Sequence, residues 1–147
     1  MAIYEMQKAF AGLKADAGFD RVESFPAAAA AGFGLVMGVN ADGAVVVGGG
    51  TRLAGLSLHT HTRPNGYEQY DDVSMLTRGL AWAQVAEGGA VTDGGPVQYA
   101  ADGTVGDAAG TAYPNAVFRS EAVTLPDGSV IACVELHSPL ATSAAGA

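Results

Sequence analysis

Apolar residues fall in short runs, several of them alternating with polar positions, and glycine-rich turns interrupt them; this is the pattern of β-strands. Arg21 to Phe25 alternates in this way. Phe33 to Val39 is an apolar run, and the turn Asn40-Ala41-Asp42-Gly43 leads into Ala44-Val45-Val46-Val47 before Gly48-Gly49-Gly50 breaks the chain. From Arg52 to Thr62, Ala54, Leu56, Leu58 and Thr60 share one side, the better core face, with Leu53, Gly55, Ser57, His59 and His61 on the other. Val73 and Met75, then the run starting at Leu80, flank Thr77-Arg78-Gly79. Gly79 supplies the positive φ of a short loop, so the spacing predicts a β-hairpin between Tyr67 and Trp82. Further strands are predicted at Pro96 to Tyr99, Val117-Phe118, Ala122 to Leu125 and Ser129 to His137, divided by the turns Ala101-Asp102-Gly103 and Pro126-Asp127-Gly128. Short strands with turn signals at such regular spacing predict an all-β domain, a small β-barrel or jelly-roll-like sandwich.

The ends depart from this pattern. Ile3, Met6, Phe10 and Leu13 have helical spacing, so Tyr4 to Leu13 reads as a short amphipathic helix or as an extended segment, with Gly12 and Gly18 weakening the helix. Tyr4, Phe10 and Phe19 are costly to leave in water, which predicts that this segment has something to pack against. The residues divide the chain into an N-terminal segment 1–20, a β domain 21–140, and a tail 141–147 that has no large apolar anchor and is expected to be flexible.

Composition narrows the partners. A chain of 147 residues makes one domain that can bury a core without metal or disulfide staples. With 49% apolar and only 15% charged residues, much of the surface is uncharged and suited to a protein contact. A net charge of −8 with seven Lys and Arg argues against nucleic acid, whose phosphates would repel the chain. It also favours solubility before a target is met. No stretch approaches the roughly 18 consecutive apolar residues of a membrane helix. The N-terminus, with Glu5 and Lys8, lacks the pattern of a secretory signal, so synthesis in the host cytoplasm is expected. Cys133, the single cysteine, sits within Val130-Ile131-Ala132-Cys133-Val134 and reads as a buried small hydrophobe.

Candidate chemistry is sparse. His59 and His61 have the spacing of two metal ligands, but a third would have to come from His137, Glu68 or Asp71. Asp71-Asp72 are adjacent and point to opposite faces of a strand, so they read as an acidic lead-in rather than as an acid and base pair. Neither Gly48-Gly49-Gly50-Thr51 nor Gly32-Phe33-Gly34 is followed by the helix and Lys of a phosphate loop, and Ser57 and His59 share a strand face by spacing alone. No catalytic residue, cofactor or metal is expected. Arg63, Tyr67, Tyr70 and Arg78 instead concentrate large amphipathic and basic groups in one region, the residue types that dominate protein interfaces. Trp82 is expected in the core.

The string Tyr67-Glu68-Gln69, Val73-Ser74, Thr77-Arg78-Gly79, with Gly32-Phe33-Gly34 before it and Gly89-Ala90-Val91-Thr92-Asp93-Gly94-Gly95-Pro96-Val97 after it, resembles the structural cement proteins of tailed bacteriophages over most of residues 4 to 137. The resemblance implies that residues 1–20 form an extended N-terminal arm, and it implies no metal. It also implies binding to the outer face of a phage head, where the protein bridges neighbouring major capsid proteins. Tyr4, Phe10, Phe19, Arg63, Tyr67, Tyr70 and Arg78 are then the candidate contacts with capsid or neighbouring subunits. Self-assembly is expected as a homotrimer at three-fold positions, or else as a dimer at two-fold positions. A second reading from the residues is a carbohydrate- or small-ligand-binding β-barrel module, with Tyr67, Tyr70 and Tyr99 lining its site.

Overall fold

The computed structural model describes residues 9–137, with no helix among them; the expected contact Tyr4 and the expected tail 141–147 lie outside that range. Ten strands follow in order: β1 Lys14–Pro26, β2 Val36–Val39, β3 Val45–Val47, β4 Arg52–Ser57, β5 Asp72–Gln84, β6 Pro96–Tyr99, β7 Val105–Gly106, β8 Thr111–Phe118, β9 Val123–Thr124 and β10 Val130–His137. They form one sheet in the order β3-β2-β4-β5-β10-β8-β6-β7, with β1 paired to β5 and β9 to β10. The sheet curls far enough that Val36 N of β2 donates to Gly103 O of the β6–β7 turn at 2.8 Å, while the terminal strands β3 and β7 stay unpaired with each other. The result is an open half-barrel, within the all-β class the spacing predicts.

Two apolar clusters fill it, one on each face of its middle strands. Inside the curl lie Val36, Leu56, Leu76, Ala81, Ala83, Val97, Phe118, Val134 and Leu136. Behind β2 and the first half of β5 lie Met37, Val39, Val45, Ala54, Tyr67, Val73 and Met75. Neighbours such as Val36 and Met37, or Met75 and Leu76, point to opposite faces, so these strands are buried on both sides and read as continuous apolar runs. Ser57, the fully buried polar residue of β4, is satisfied by donating to Gly32 O at 2.9 Å and accepting from Leu35 N at 3.1 Å, which fixes the segment that covers the second cluster.

The hairpin predicted at Thr77-Arg78-Gly79 does not form. β5 runs unbroken through these residues for 13 positions. Its register with β1 passes from Arg21↔Arg78 to Val22↔Leu76, which leaves Thr77 as the extra residue of a β-bulge. Gly79 does have the expected positive φ, +129°, but the reason is contact: an added Cβ would sit 2.9 Å from the Asp20 Cβ. A glycine signal that predicts a turn here marks a close strand approach.

Two boundaries also move. The arm was expected to end at residue 20, but β1 begins at Lys14. The part of the helical reading that falls in the described range, residues 9–13, is a turn closed by Leu13 N to Phe10 O at 3.1 Å. β8 starts at Thr111, six residues before the predicted Val117, because Pro114 and Asn115 look like breakers in sequence; Asn115 is accommodated at φ +60°.

Candidate interaction surface

Three regions hold the side chains singled out in the sequence. The first is the corner between β4 and β5. Asp71 organises it: its Oδ2 accepts from Glu68 N at 2.7 Å and its Oδ1 from Arg63 Nη2 at 2.7 Å, while Arg63 Nη1 reaches Glu68 Oε2 at 3.4 Å. Backbone bonds pin the corner to the chain after β1, with Tyr70 N donating to Ala27 O at 2.9 Å and Ala27 N to Asp71 O at 2.8 Å. Thus fixed, Tyr70 projects outward, 81% exposed, from a left-handed backbone (φ +73°) that tyrosine rarely adopts. A polar cleft of about 370 Å³ opens beside it, lined by Thr60, Arg63 and Asp72.

Tyr67, expected with Tyr70 at the surface, is core instead. It is 3% exposed, packs edge-on to Phe33, and donates its hydroxyl to Leu58 O at 2.6 Å. Burial outweighs its bond with Ser74 and raises the phenol above its ordinary range. Tyr99 is half-buried against Tyr113. Tyr67, Tyr70 and Tyr99 therefore make no shared aromatic platform, the feature on which the carbohydrate-binding reading depended.

The second region is the outer face of β5 and β10. Their register is unbroken from Gln84↔Ile131 to Arg78↔His137, so Arg78, Leu80, Trp82 and Gln84 share a face with His137, Glu135, Cys133 and Ile131, and Val117 of β8 joins opposite Glu135. Ala81 and Ala83 occupy the core, and Trp82 lies half-buried on the outside, contrary to its expected place inside; small residues suit the tight interior of the curl. Arg78 is exposed, with Arg21 directly across on one strand and His137 on the other. Glu135 is bonded to both Arg119 and His137; although desolvation opposes this, those bonds hold its carboxyl below the usual range. Cys133 is buried as expected, and burial pushes its thiol up to about 11, so it is not nucleophilic at neutral pH.

The third region surrounds His59. Its ring lies edge-on to both Phe10 and Phe33, each with centroids 4.7 Å away, and 5.0 Å from His61. Burial, and then the neighbouring His61, lower its pKa from the ordinary value. The two histidines are together as their spacing requires, but His137 is bonded to Glu135 instead. Among the described residues no group of three or more His, Cys, Asp or Glu could hold a metal ion, and no helix is long and apolar enough to cross a membrane. Phe10 is thus half-buried on His59; Phe19 lies within β1, and its side chain is outside the described set.

Fold and surface together define a small all-β structural domain. A chain in the structure titled "The capsid of Myoviridae Phage XM1" has the same fold, with a TM-score of 0.71 and 18% identity over 95% of this chain and 96% of that one. No curated protein matches the sequence. The chain belongs to the phage cement family, described as structural cement protein (E217 gp24/Pam3 gp6), whose pattern matches residues 2–137. It is accordingly a structural protein associated with the phage capsid.

Proposed function

We propose that this protein decorates the outer surface of a tailed-phage head and bridges neighbouring major capsid proteins. The observation that carries the reading is Tyr70, an exposed aromatic held in a strained backbone by a fully bonded corner within a family of capsid structural proteins. A large side chain presented rigidly loses little entropy on docking, which is the property of interface anchors. Arg63 beside it, held by two carboxylates, offers a planar donor at the same edge.

Cementing then needs only binding. Each copy adds interface area that is lost when capsomers separate, so internal pressure works against every copy at once, and repetition over the shell raises the total by avidity. A homotrimer at three-fold positions is the preferred arrangement and a dimer at two-fold positions the second. The N-terminal arm, with Tyr4, Phe10 and Phe19, would add contacts to a neighbour or to the shell.

Electron cryomicroscopy of the virion tests this directly. Density for the chain on the outer shell, touching two capsid subunits, supports bridging and gives the symmetry axis; a shell without that density removes the reading. Co-sedimentation with isolated heads provides the quantitative companion, with Tyr70→Ala and Arg63→Glu expected to weaken binding at least tenfold.

A further inference from the structure

Nearly every described basic side chain is engaged within the chain. Lys14 pairs with Asp20, Arg63 with Glu68 and Asp71, and Arg119 with Glu135, while Arg78 is not free either. Arg52, the first residue of β4, is the exception. It is exposed and makes no ion pair among the described residues, although the chain has 15 Asp and Glu for 7 Lys and Arg and Asp42 stands in the adjoining β2–β3 turn.

Arg52 and Arg21 line one cleft of about 260 Å³ between β4 and β1, together with Glu23, Phe25, Leu53 and Ala54. Arg21 is held loosely there: its Nε lies 3.5 Å from Glu23 Oε2 and its side chain is 68% exposed, a contact of little strength in water. Two guanidiniums against one carboxylate leave the cleft with one net positive charge. Phe25, Leu53 and Ala54 keep water from part of its wall, and a charge-assisted hydrogen bond is stronger where water is excluded. The cleft also opens on the face opposite the one beside Tyr70. Glu23 and Phe25 are the cross-strand partners of Met75 and Val73, whereas Asp72 and Ser74, which line the cleft beside Tyr70, alternate with those two and point the other way.

We infer that the β1–β4 cleft receives a single carboxylate side chain of a capsid subunit, bound by the guanidinium forks of Arg52 and Arg21. One carboxylate matches the one net charge of the cleft, whereas a chain of net charge −8 would repel a polyanion. Bridging requires two contact surfaces on each copy, and the Tyr70 corner and this cleft supply one on each face of the β1–β5 pair. The contact rests on the cement reading and gives its second surface a chemistry: an acidic residue of the shell set against an unpaired arginine.

Co-sedimentation of the full chain with isolated heads supplies the test. Arg52→Gln and Arg21→Gln each remove one positive charge from the cleft, and Thr124→Glu, on exposed β9 outside it, changes the net charge by the same amount. Head binding should fall about tenfold or more for each arginine variant and by less than about twofold for Thr124→Glu. All three should keep the wild-type urea midpoint and β-sheet circular dichroism spectrum, because the three side chains are exposed. Unchanged binding by either arginine variant overturns the inference, and so does an equal loss in Thr124→Glu, which would assign the effect to bulk charge. A wild type that ignores heads defeats the cement reading and this contact with it; a wild type that binds heads no better than Arg52→Gln does defeats the contact alone.

Discussion

The Thr77 hydroxyl donates a hydrogen bond to the Arg21 carbonyl at 3.2 Å, across 56 positions of sequence, at the place where the register between β1 and β5 slips. Side chain thus replaces backbone at the bulge, and two positions later the strands approach closely enough to exclude any Cβ at Gly79.

Gly79→Asn distinguishes this arrangement from a hairpin turn. Asparagine is tolerated in the left-handed conformation of a tight turn. Here, at φ +129° and against Asp20, it should cost about 2 kcal/mol or more, read as a lower midpoint in urea. A midpoint equal to that of wild type would contradict the bulge.

Tyr113 is the converse case, since its buried hydroxyl has no hydrogen-bond partner among the described residues. Burial, reinforced by Tyr99, raises its phenol far above the tyrosine range and keeps it neutral. Tyr113→Phe keeps the ring and deletes the unpaired group, so thermal unfolding should show unchanged stability or a gain of up to about 1–2 kcal/mol. A loss of stability would mean that the hydroxyl is bonded.

Acid should loosen the turn at residues 9–13, which packs Phe10 on His59 and bonds Gly12 O to His59 N at 3.0 Å. The His59 pKa is lower folded than unfolded, so the unfolded chain binds the proton more readily. The associated stability is present above the unfolded value near 6.5 and is lost as pH falls through the lower folded value. Hydrogen exchange at Gly12 and Leu13 should accelerate below that range, and His59→Phe should flatten the dependence; equal acid sensitivity in the variant would assign it to other groups.

Tyr70 separates stability from function. Asparagine accepts its φ of +73° at less cost, so Tyr70→Asn should leave stability unchanged or raise it by about 1 kcal/mol. Binding to phage heads should meanwhile fall at least tenfold. Retained binding would remove Tyr70 from the interface.

The β class and most strand positions were readable because alternating apolar residues and turn glycines are local signals, and β2, β3, β4, β6 and β10 all lie where such runs occur. Lys14 to Asp20 carries no strand signal, because Ala, Gly and Asp favour strands weakly and pair here only because β5 offers a partner. Among the candidate contacts, Arg63, Tyr70 and Arg78 are exposed, whereas Tyr67 is enclosed by segments distant in sequence.

Local signals alone were enough for the strand-like period, the turns at Asn40 to Gly43, Ala101 to Gly103 and Pro126 to Gly128, the acidic charge and the need of Gly79 for positive φ, since each depends on a residue and its near neighbours. Only the tertiary structure decided that Gly79 lies inside a strand, that alanines rather than Trp82 face the interior, and that Arg21, Arg78 and His137 line up. Those outcomes depend on register and curl, and register is set by which distant strands can bury their apolar faces together.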